Sequence, residues 1–169
     1  ESEAATTLTM RIGRALDNRH NEHEDLLVRL GTAVGKYWIC KRTPNHAYES
    51  MECIGGSGVM EDSMLPLLYR EAPINAIWED SGNVQCLDVL RAMQKTPAVV
   101  DAFFTEIGKA HGGHSALDTH IRALKNELGD LSEMEFRARD IVDRMALSLQ
   151  AALLVQHAPA GIADAFCQS

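Results

Sequence analysis

Apolar residues recur every three or four positions along most of the chain, the spacing that places them on one face of an α-helix. The first such stretch covers residues 1–19, and its apolar face contains Ala5, Leu8, Ile12, Ala15 and Leu16. A polar turn at residues 18–24 leads into a longer stretch, residues 25–54, whose apolar face includes Leu27, Leu30 and Val34. No segment alternates with the two-residue period of a β-strand. The pattern therefore predicts an all-α protein that begins with two antiparallel helices.

Further helices are predicted between the remaining turn signals, at residues 84–93, 97–110, 115–128 and 132–157, with a short helix after Pro159. Ser81 is expected to cap the first of these, since a serine side chain accepts hydrogen bonds from the free N–H groups of a helix start. The patterns Ser115–Asp118 and Ser132–Glu135 have the form of capping boxes and predict the starts of the last two long helices. Pro44 is expected to kink or divide the 25–54 helix, because proline lacks the N–H that the helix needs.

Composition and charge restrict the class of protein. Of the 169 residues, 46% are hydrophobic and only 5% aromatic, which suits helix-on-helix packing around one core. The net charge of −8 disfavours a general affinity for DNA or anionic membranes. The four cysteines match no metal or disulfide spacing, which favours reduced thiols and a cytoplasmic location. No apolar run is long enough to span a membrane, no signal peptide is evident, and the chain begins inside a helical pattern, so we expect a fragment of a longer protein.

Residues 51–91 carry the most distinctive chemistry. The glycines of residues 55–58 are expected to end the long helix, because glycine enters left-handed backbone conformations without steric cost. Two prolines then keep the following segment from forming one helix. Glu79 follows an apolar aromatic run and precedes a helix start, where partial removal from water would suit a general base. A carboxylate in this position also interacts favourably with the helix dipole, which is a purely structural alternative.

The ordered set IGGSGVMED, LYRE and IWEDSGN resembles the C-terminal helical domain of the flavin-dependent acyl-CoA dehydrogenase family. The pattern of that family combines a GGxG turn, an arginine–acid pair and an aromatic-Glu-Gly motif before the last core helix. The segments YWICKR, MECIGGSG and SGNVQCLDVLR are similar to the AidB-like branch, which is linked to the bacterial response to DNA alkylation. The resemblance implies an up-down helical bundle over residues 1–96 and a helical extension over residues 97–169 packed on it, with further domains before this segment.

The resemblance also implies an activity, the FAD-dependent oxidation of an acyl-CoA thioester. Glu79 would remove the α-proton while a hydride passes to the flavin N5, the backbone N–H of Glu79 would polarise the thioester carbonyl, and Trp78 would line the acyl pocket. The implied FAD contacts are Glu52, Cys53, Ile54, Gly55, Gly56, Ser81 and Asn83. Residues 52–56 would contact a flavin bound mainly by a neighbouring subunit of a homo-oligomer, a dimer or tetramer that could pass electrons to an acceptor flavoprotein. The chain on its own is expected to be inactive.

One departure from the family pattern keeps two alternatives open. Asp80 stands where the family has glycine, and its side chain could crowd the thioester while its charge opposes ionisation of Glu79. One alternative is a catalytically silent oligomerisation scaffold. The other is a DNA-associated protein of the alkylation response. DNA binding needs a positive face, and acidic residues outnumber basic ones in residues 97–169, which disfavours it.

Three further features have structural interpretations that we prefer to functional ones. One is a cluster of His111, His114, Asp118 and His120, which matches no zinc-binding spacing, so no metal site is predicted. Another is a basic group formed by Lys36, Lys41 and Arg42, which could contact a phosphate of FAD or CoA but is more simply a solvated helix face. Arg70, of the arginine–acid pair, is expected to bond the irregular segment around it.

Overall fold

The computed structural model describes all residues, 1–169, and every regular element in it is helical. The eight α-helices are α1 (Ser2–Asp17), α2 (Glu22–Ile54), α3 (Leu65–Glu71), α4 (Gly82–Lys95), α5 (Ala98–Gly108), α6 (Ser115–Gly129), α7 (Ala138–His157) and α8 (Ala160–Gln168). Two short 3₁₀ helices, Gly55–Val59 and Ala72–Ala76, lie on either side of α3. The prediction of an all-α bundle with a C-terminal helical extension is confirmed. No helix is both long and apolar enough to cross a membrane.

Helices α1 and α2 form the predicted antiparallel pair. Near the middle of the pair they approach closely, since a Cβ on Gly35 would lie 2.9 Å from Cδ1 of Ile12. At the other end, the Arg42 Nε donates to the carboxylate of Glu1 over 2.7 Å. Glycine on α2 therefore allows the contact that the apolar face of α1 requires.

Pro44 does not divide α2, which continues unbroken from Glu22 to Ile54. A proline inside a helix removes one hydrogen bond and costs about 3 kcal/mol in isolation. Here α2 packs against α1, α3, α4, α5 and α7. We attribute the continuity of the helix to this packing, which the local sequence does not reveal.

One predicted helix start and one predicted capping residue are wrong, whereas α6 begins at Ser115 as predicted. Helix α7 begins at Ala138 and not at Ser132, because Asp130 Oδ1 accepts hydrogen bonds from the Ser132 N–H at 2.9 Å and from its Oγ at 2.6 Å. The serine side chain is thereby turned back towards Asp130, and Glu133 adopts a φ of 49°, which is incompatible with a helix. Helix α6 is capped by His114 rather than Ser115, since His114 Nδ1 accepts from the Ala116 N–H at 3.3 Å.

A single large core joins residues 1–96 to residues 97–169. Helix α7 lies at its centre and contacts α1, α2, α4, α5, α6 and α8. The fully buried side chains of this core come from both segments and include Leu8, Leu30, Val34, Val89, Phe103, Ile107, Ile141, Met145 and Leu149. The C-terminal helices therefore complete the core that α1, α2 and α4 begin.

One ionic cluster is buried within the bundle. Arg11 of α1 and Glu106 of α5 are 9% and 3% exposed, and they form a two-bond pair with distances of 2.5 and 3.0 Å. The remaining guanidinium N–H groups donate to the Glu24 carboxylate of α2 at 2.7 and 3.1 Å. Lys109 and His23 also contact Glu106 Oε2, at 2.6 and 3.2 Å. The cluster ties three helices together through one arginine.

Candidate active-site turn

Residues 77–83 run from the end of the second 3₁₀ helix into the first residues of α4 and contain Glu79; we refer to them as the Glu79 turn. Glu79 and Asp80 have φ values of 55° and 87°, a region that side chains other than glycine rarely occupy. Both side chains are exposed in this chain. Ser81 precedes the first residue of α4 as predicted, but its side chain makes no capping hydrogen bond. The turn therefore presents the Glu79 carboxylate at the N-terminus of α4.

Side chains from two helices hold the carbonyl groups of this turn. Lys36 Nζ, on α2, donates to the carbonyl oxygens of Trp78 and Glu79 at 2.6 and 3.1 Å. Gln85 Nε2, on α4, donates to the Asp80 carbonyl at 2.6 Å. From the sequence, Lys36 is expected on a solvated basic face, and no motif includes Gln85. No local pattern indicates either contact, because Lys36 and Trp78 are 42 residues apart.

The floor beneath the turn is tightly packed. Tyr37 lies against Gly82, where a Cβ would be 3.3 Å from the tyrosine Cε2. Burial raises the pKa of the Tyr37 hydroxyl and raises the pKa of the Cys86 thiol to about 11. Cys86 is therefore a protonated, buried thiol at neutral pH and is unsuited to act as a nucleophile.

Large apolar side chains around the Glu79 turn are exposed. Trp78 and Ile77 are 56% and 62% exposed. Other exposed apolar residues on the same part of the chain are Ile54, Val59, Met60, Met64, Leu67, Leu68, Ile74, Val84 and Leu87. A concentration of this kind is unusual on the surface of a monomer and is typical of a surface that another domain or subunit covers.

The glycine turn, which we define as residues 52–58, ends α2 as predicted. Gly55 is the C-cap residue, with a φ of 73°. No atom lies within 4 Å of where a Cβ would be on Gly55 or Gly56, so the backbone is open to a ligand. Gly58 differs, because a Cβ there would overlap the carbonyl group of Met51. The side chains of Glu52, Cys53 and Ile54 are exposed, so this segment fits the role of a surface against which a dinucleotide could lie.

The two turns do not meet within one chain. Lys41, whose side chain lies against Gly82 of the Glu79 turn, precedes Glu52 by 11 residues along the continuous helix α2. At about 1.5 Å per residue this separation is about 17 Å. Ser81, Asn83 and Trp78 accompany Glu79 in its turn, whereas the predicted cofactor contacts at residues 52–56 lie at the far end of α2.

The other polar residues singled out in the sequence have structural contacts. Arg70 forms a two-bond pair with Glu61 at 2.6 and 3.2 Å and so bonds the irregular segment, as predicted. His111 Nδ1 lies 3.2 Å from Asp118 Oδ1, and His120 Nε2 lies 3.2 Å from the Arg144 carbonyl. Arg42 lies over the ring of Trp38.

The bundle, its glycine turn and the Glu79 turn are the features of a C-terminal helical domain of the acyl-CoA dehydrogenase type. The family model for the acyl-CoA dehydrogenase C-terminal domain matches residues 1–94. The chain therefore belongs to the acyl-CoA dehydrogenase family.

Two curated relatives are similar over most of the chain. AidB of Escherichia coli (strain K12) is 39% identical over 166 residues, which is 98% of this chain and 30% of AidB. Acyl-CoA dehydrogenase family member 11 of Caenorhabditis elegans is 31% identical over 133 residues, which is 76% of this chain and 22% of that protein. The chain thus spans less than a third of the length of either relative.

Solved structures have the same fold. The crystal structure of Caenorhabditis elegans ACDH-11 in complex with C11-CoA superimposes with a TM-score of 0.84 at 26% identity, covering 98% of this chain and 32% of that one. The apo form of Bd2924 superimposes with a TM-score of 0.78 at 24% identity, covering 90% of this chain and 30% of that one, and supports the fold alone.

Proposed function

We propose that this chain is the C-terminal domain of an FAD-dependent acyl-CoA dehydrogenase in which Glu79 is the catalytic base. The observation that carries the proposal is the family match over residues 1–94 together with an exposed carboxylate on the turn before α4. Members of the family generally use FAD, and the Caenorhabditis elegans structure contains C11-CoA. An acyl-CoA thioester is therefore the substrate class that we propose.

The Glu79 turn supplies two groups for this reaction. The carboxylate takes the proton as the α C–H bond breaks, and the electron pair of that bond forms the α,β double bond of the enoyl-CoA product. The N–H of Glu79 donates to no acceptor in the protein and is free to bind the thioester carbonyl oxygen as negative charge develops there. The ring of Trp78 provides an apolar wall beside the acyl chain. Bound FAD would accept the hydride from the β-carbon.

The glycine turn is proposed to contact FAD, through Glu52, Cys53, Ile54, Gly55 and Gly56, with Ser81 and Asn83 contacting FAD from the other turn. Because the two turns are far apart along α2, we propose that they serve flavins of different subunits in a homodimer or homotetramer. The exposed apolar residues between the two turns support such a covered surface. We expect the 169-residue chain alone to bind FAD weakly and to oxidise no acyl-CoA; stoichiometric FAD on the purified chain would contradict this.

The test uses a flavin-containing polypeptide that includes this chain. Acyl-CoAs of graded chain length are added without oxygen, and the visible absorbance of oxidised flavin is followed. We expect bleaching by one chain-length class, slowed by about 10²- to 10⁴-fold in Glu79→Gln, the range expected for loss of a general base. Asp101→Asn, an exposed carboxylate on α5, is the control and should bleach normally. A Glu79→Gln variant that bleaches at the original rate would exclude Glu79 as the base. Reoxidation by an added electron-acceptor flavoprotein tests the electron route.

A silent oligomerisation scaffold is the second candidate, and Asp80 is the observation that favours it. The side chain at this position lies next to the base, where the family pattern has glycine. Flavin that no acyl-CoA bleaches, even after Asp80→Gly, would favour the scaffold. DNA association is disfavoured by the net charge of −8, and salt-dependent retardation of duplex DNA would revive it.

A further inference from the structure

The backbone of the Glu79 turn is held through three consecutive carbonyl groups. Those of Trp78 and Glu79 accept from a single ammonium group, that of Lys36, at 2.6 and 3.1 Å, and that of Asp80 accepts from Gln85 Nε2 at 2.6 Å. A hydrogen bond from a charged donor such as an ammonium group is stronger than one between neutral groups. The donors come from α2 and α4, so the turn is fixed relative to both core helices.

The turn needs such a restraint because its own backbone provides little. Glu79 and Asp80 both have positive φ, which is disfavoured for residues with a Cβ and persists only when surrounding contacts hold it. The N–H groups of Glu79 and Asp80 donate to no protein acceptor. The Trp78 N–H donates to the Ile74 carbonyl, and the next backbone hydrogen bonds belong to the first turn of α4. Between these two points, the backbone is held by the hydrogen bonds from Lys36 and Gln85 to its carbonyl groups.

The hydrogen bond from Gln85 to the Asp80 carbonyl is accompanied by a cost in stability. The residue is 5% exposed, and its Oε1 is the one buried side-chain polar atom in the chain without a hydrogen-bond partner. An apolar residue of similar size would avoid burying that oxygen. The orientation of the amide group follows from its contact with the Asp80 carbonyl, which accepts only from the NH₂ side.

We propose that Lys36 and Gln85 are positioning residues that fix the carboxylate and the N–H of Glu79 in the orientation needed for catalysis. The catalytic part of this inference rests on the proposed function; the restraint on the backbone does not. Neither residue touches the reacting atoms, and each acts through the carbonyl groups that it holds. Loss of either should loosen the turn while leaving the bundle folded, because neither residue is a member of the hydrophobic core cluster.

The first arm of the test measures the turn in the 169-residue chain. Backbone amide order parameters of Glu79 and Asp80 are determined by NMR relaxation for the original chain, Lys36→Met and Gln85→Leu. We expect values near those of rigid backbone, about 0.85, to fall below about 0.6 in both variants. Lys36→Arg should restore much of the rigidity, and Lys95→Met, an exposed lysine at the end of α4, is the matched control. The thermal unfolding midpoint of Gln85→Leu should equal that of the original chain. Unchanged order parameters would overturn the proposal.

The second arm measures the limiting rate of flavin bleaching by acyl-CoA in a flavin-containing polypeptide that includes this chain. We expect Lys36→Met and Gln85→Leu to lower this rate by about 10- to 100-fold, the size expected for misplacement of a catalytic group by about 1 Å. The half-saturating acyl-CoA concentration should stay the same, because substrate binding is not removed. An unchanged rate in loosened variants would overturn the positioning role. If even the original protein is not bleached, the proposed function fails, while the order parameters still decide whether the restraint exists.

Discussion

The buried pair of Arg11 and Glu106 makes a quantitative prediction about stability. Burial alone would raise the pKa of Glu106, but hydrogen bonds from Arg11, Lys109 and His23 outweigh it and lower the pKa from 4.5 to about 2. The difference, 4.5 − 2, corresponds to about 3 kcal/mol at about 1.36 kcal/mol per pKa unit. The side chain is 3% exposed, so solvent screening reduces this value little.

The perturbation is Glu106→Gln, which keeps the shape of the side chain and removes its charge. Arg11 then retains only Glu24 as an anionic partner. We expect the free energy of unfolding at pH 7 to fall by about 3 kcal/mol, similar to the cost of removing one partner of a buried ion pair. Urea denaturation with an unchanged m-value measures it. Asp101→Asn, an exposed carboxylate on the same helix, is the control and should change stability by less than about 0.5 kcal/mol.

The pH dependence gives the sharper check. Because folding lowers the pKa of Glu106, its contribution is fully present above pH 4.5 and is lost as the pH falls from 4.5 towards about 2. The difference in stability between the original chain and Glu106→Gln should therefore narrow across this interval, while the effects of other carboxylates cancel in the comparison. A difference below about 1 kcal/mol at pH 7, or one that stays constant down to pH 3, would refute the reasoning.

Two further predictions concern the glycine turn and the cysteines. Gly58→Ala should lower the free energy of unfolding by about 1–3 kcal/mol, because the added Cβ would overlap the Met51 carbonyl. The control Gly56→Ala, whose Cβ would meet open space, should change this free energy by less than about 0.5 kcal/mol. Equal losses for the two variants in urea denaturation would contradict the prediction. Cys53 is exposed and should react with iodoacetamide in the folded chain. Cys86 is buried, with a pKa of about 11, and should react only after the chain unfolds. Mass spectrometry of the labelled peptides distinguishes the two thiols, and labelling of Cys86 in the folded chain would contradict its burial.

The helices were predictable because their signals are local. The three-to-four residue period of apolar side chains and the glycines at residues 55–58 each act within a few residues. Where local signals compete, the prediction failed. The Ser132–Glu135 pattern has the form of a capping box, but the N–H and the hydroxyl group of Ser132 donate to the carboxylate of Asp130 instead.

The contacts that organise the interior and the turn were not predictable, because they join distant residues. Arg11 and Glu106 are 95 residues apart, and Lys36 and Trp78 are 42 apart. A lysine on a helix is usually solvated, so its residue type gave no reason to expect a bond to two carbonyls. The motif of the resembling family points to Glu79 as the candidate base, but it does not indicate that Lys36 and Gln85 bind the carbonyl groups of the turn.

Asp80 shows how sequence and structure bear differently on the same residue. In the sequence it is a departure from the glycine of the family pattern and raises doubt about the turn. In the structure Asp80 has a φ of 87°, a conformation that glycine adopts freely, and its carbonyl is bound by Gln85. The backbone path therefore does not depend on glycine at this position. Asp80 can act on the reaction through the size and charge of its side chain beside Glu79. Asp80→Gly removes that side chain without requiring a new path for the turn, and Asp80→Asn, which keeps its size, tests the charge separately.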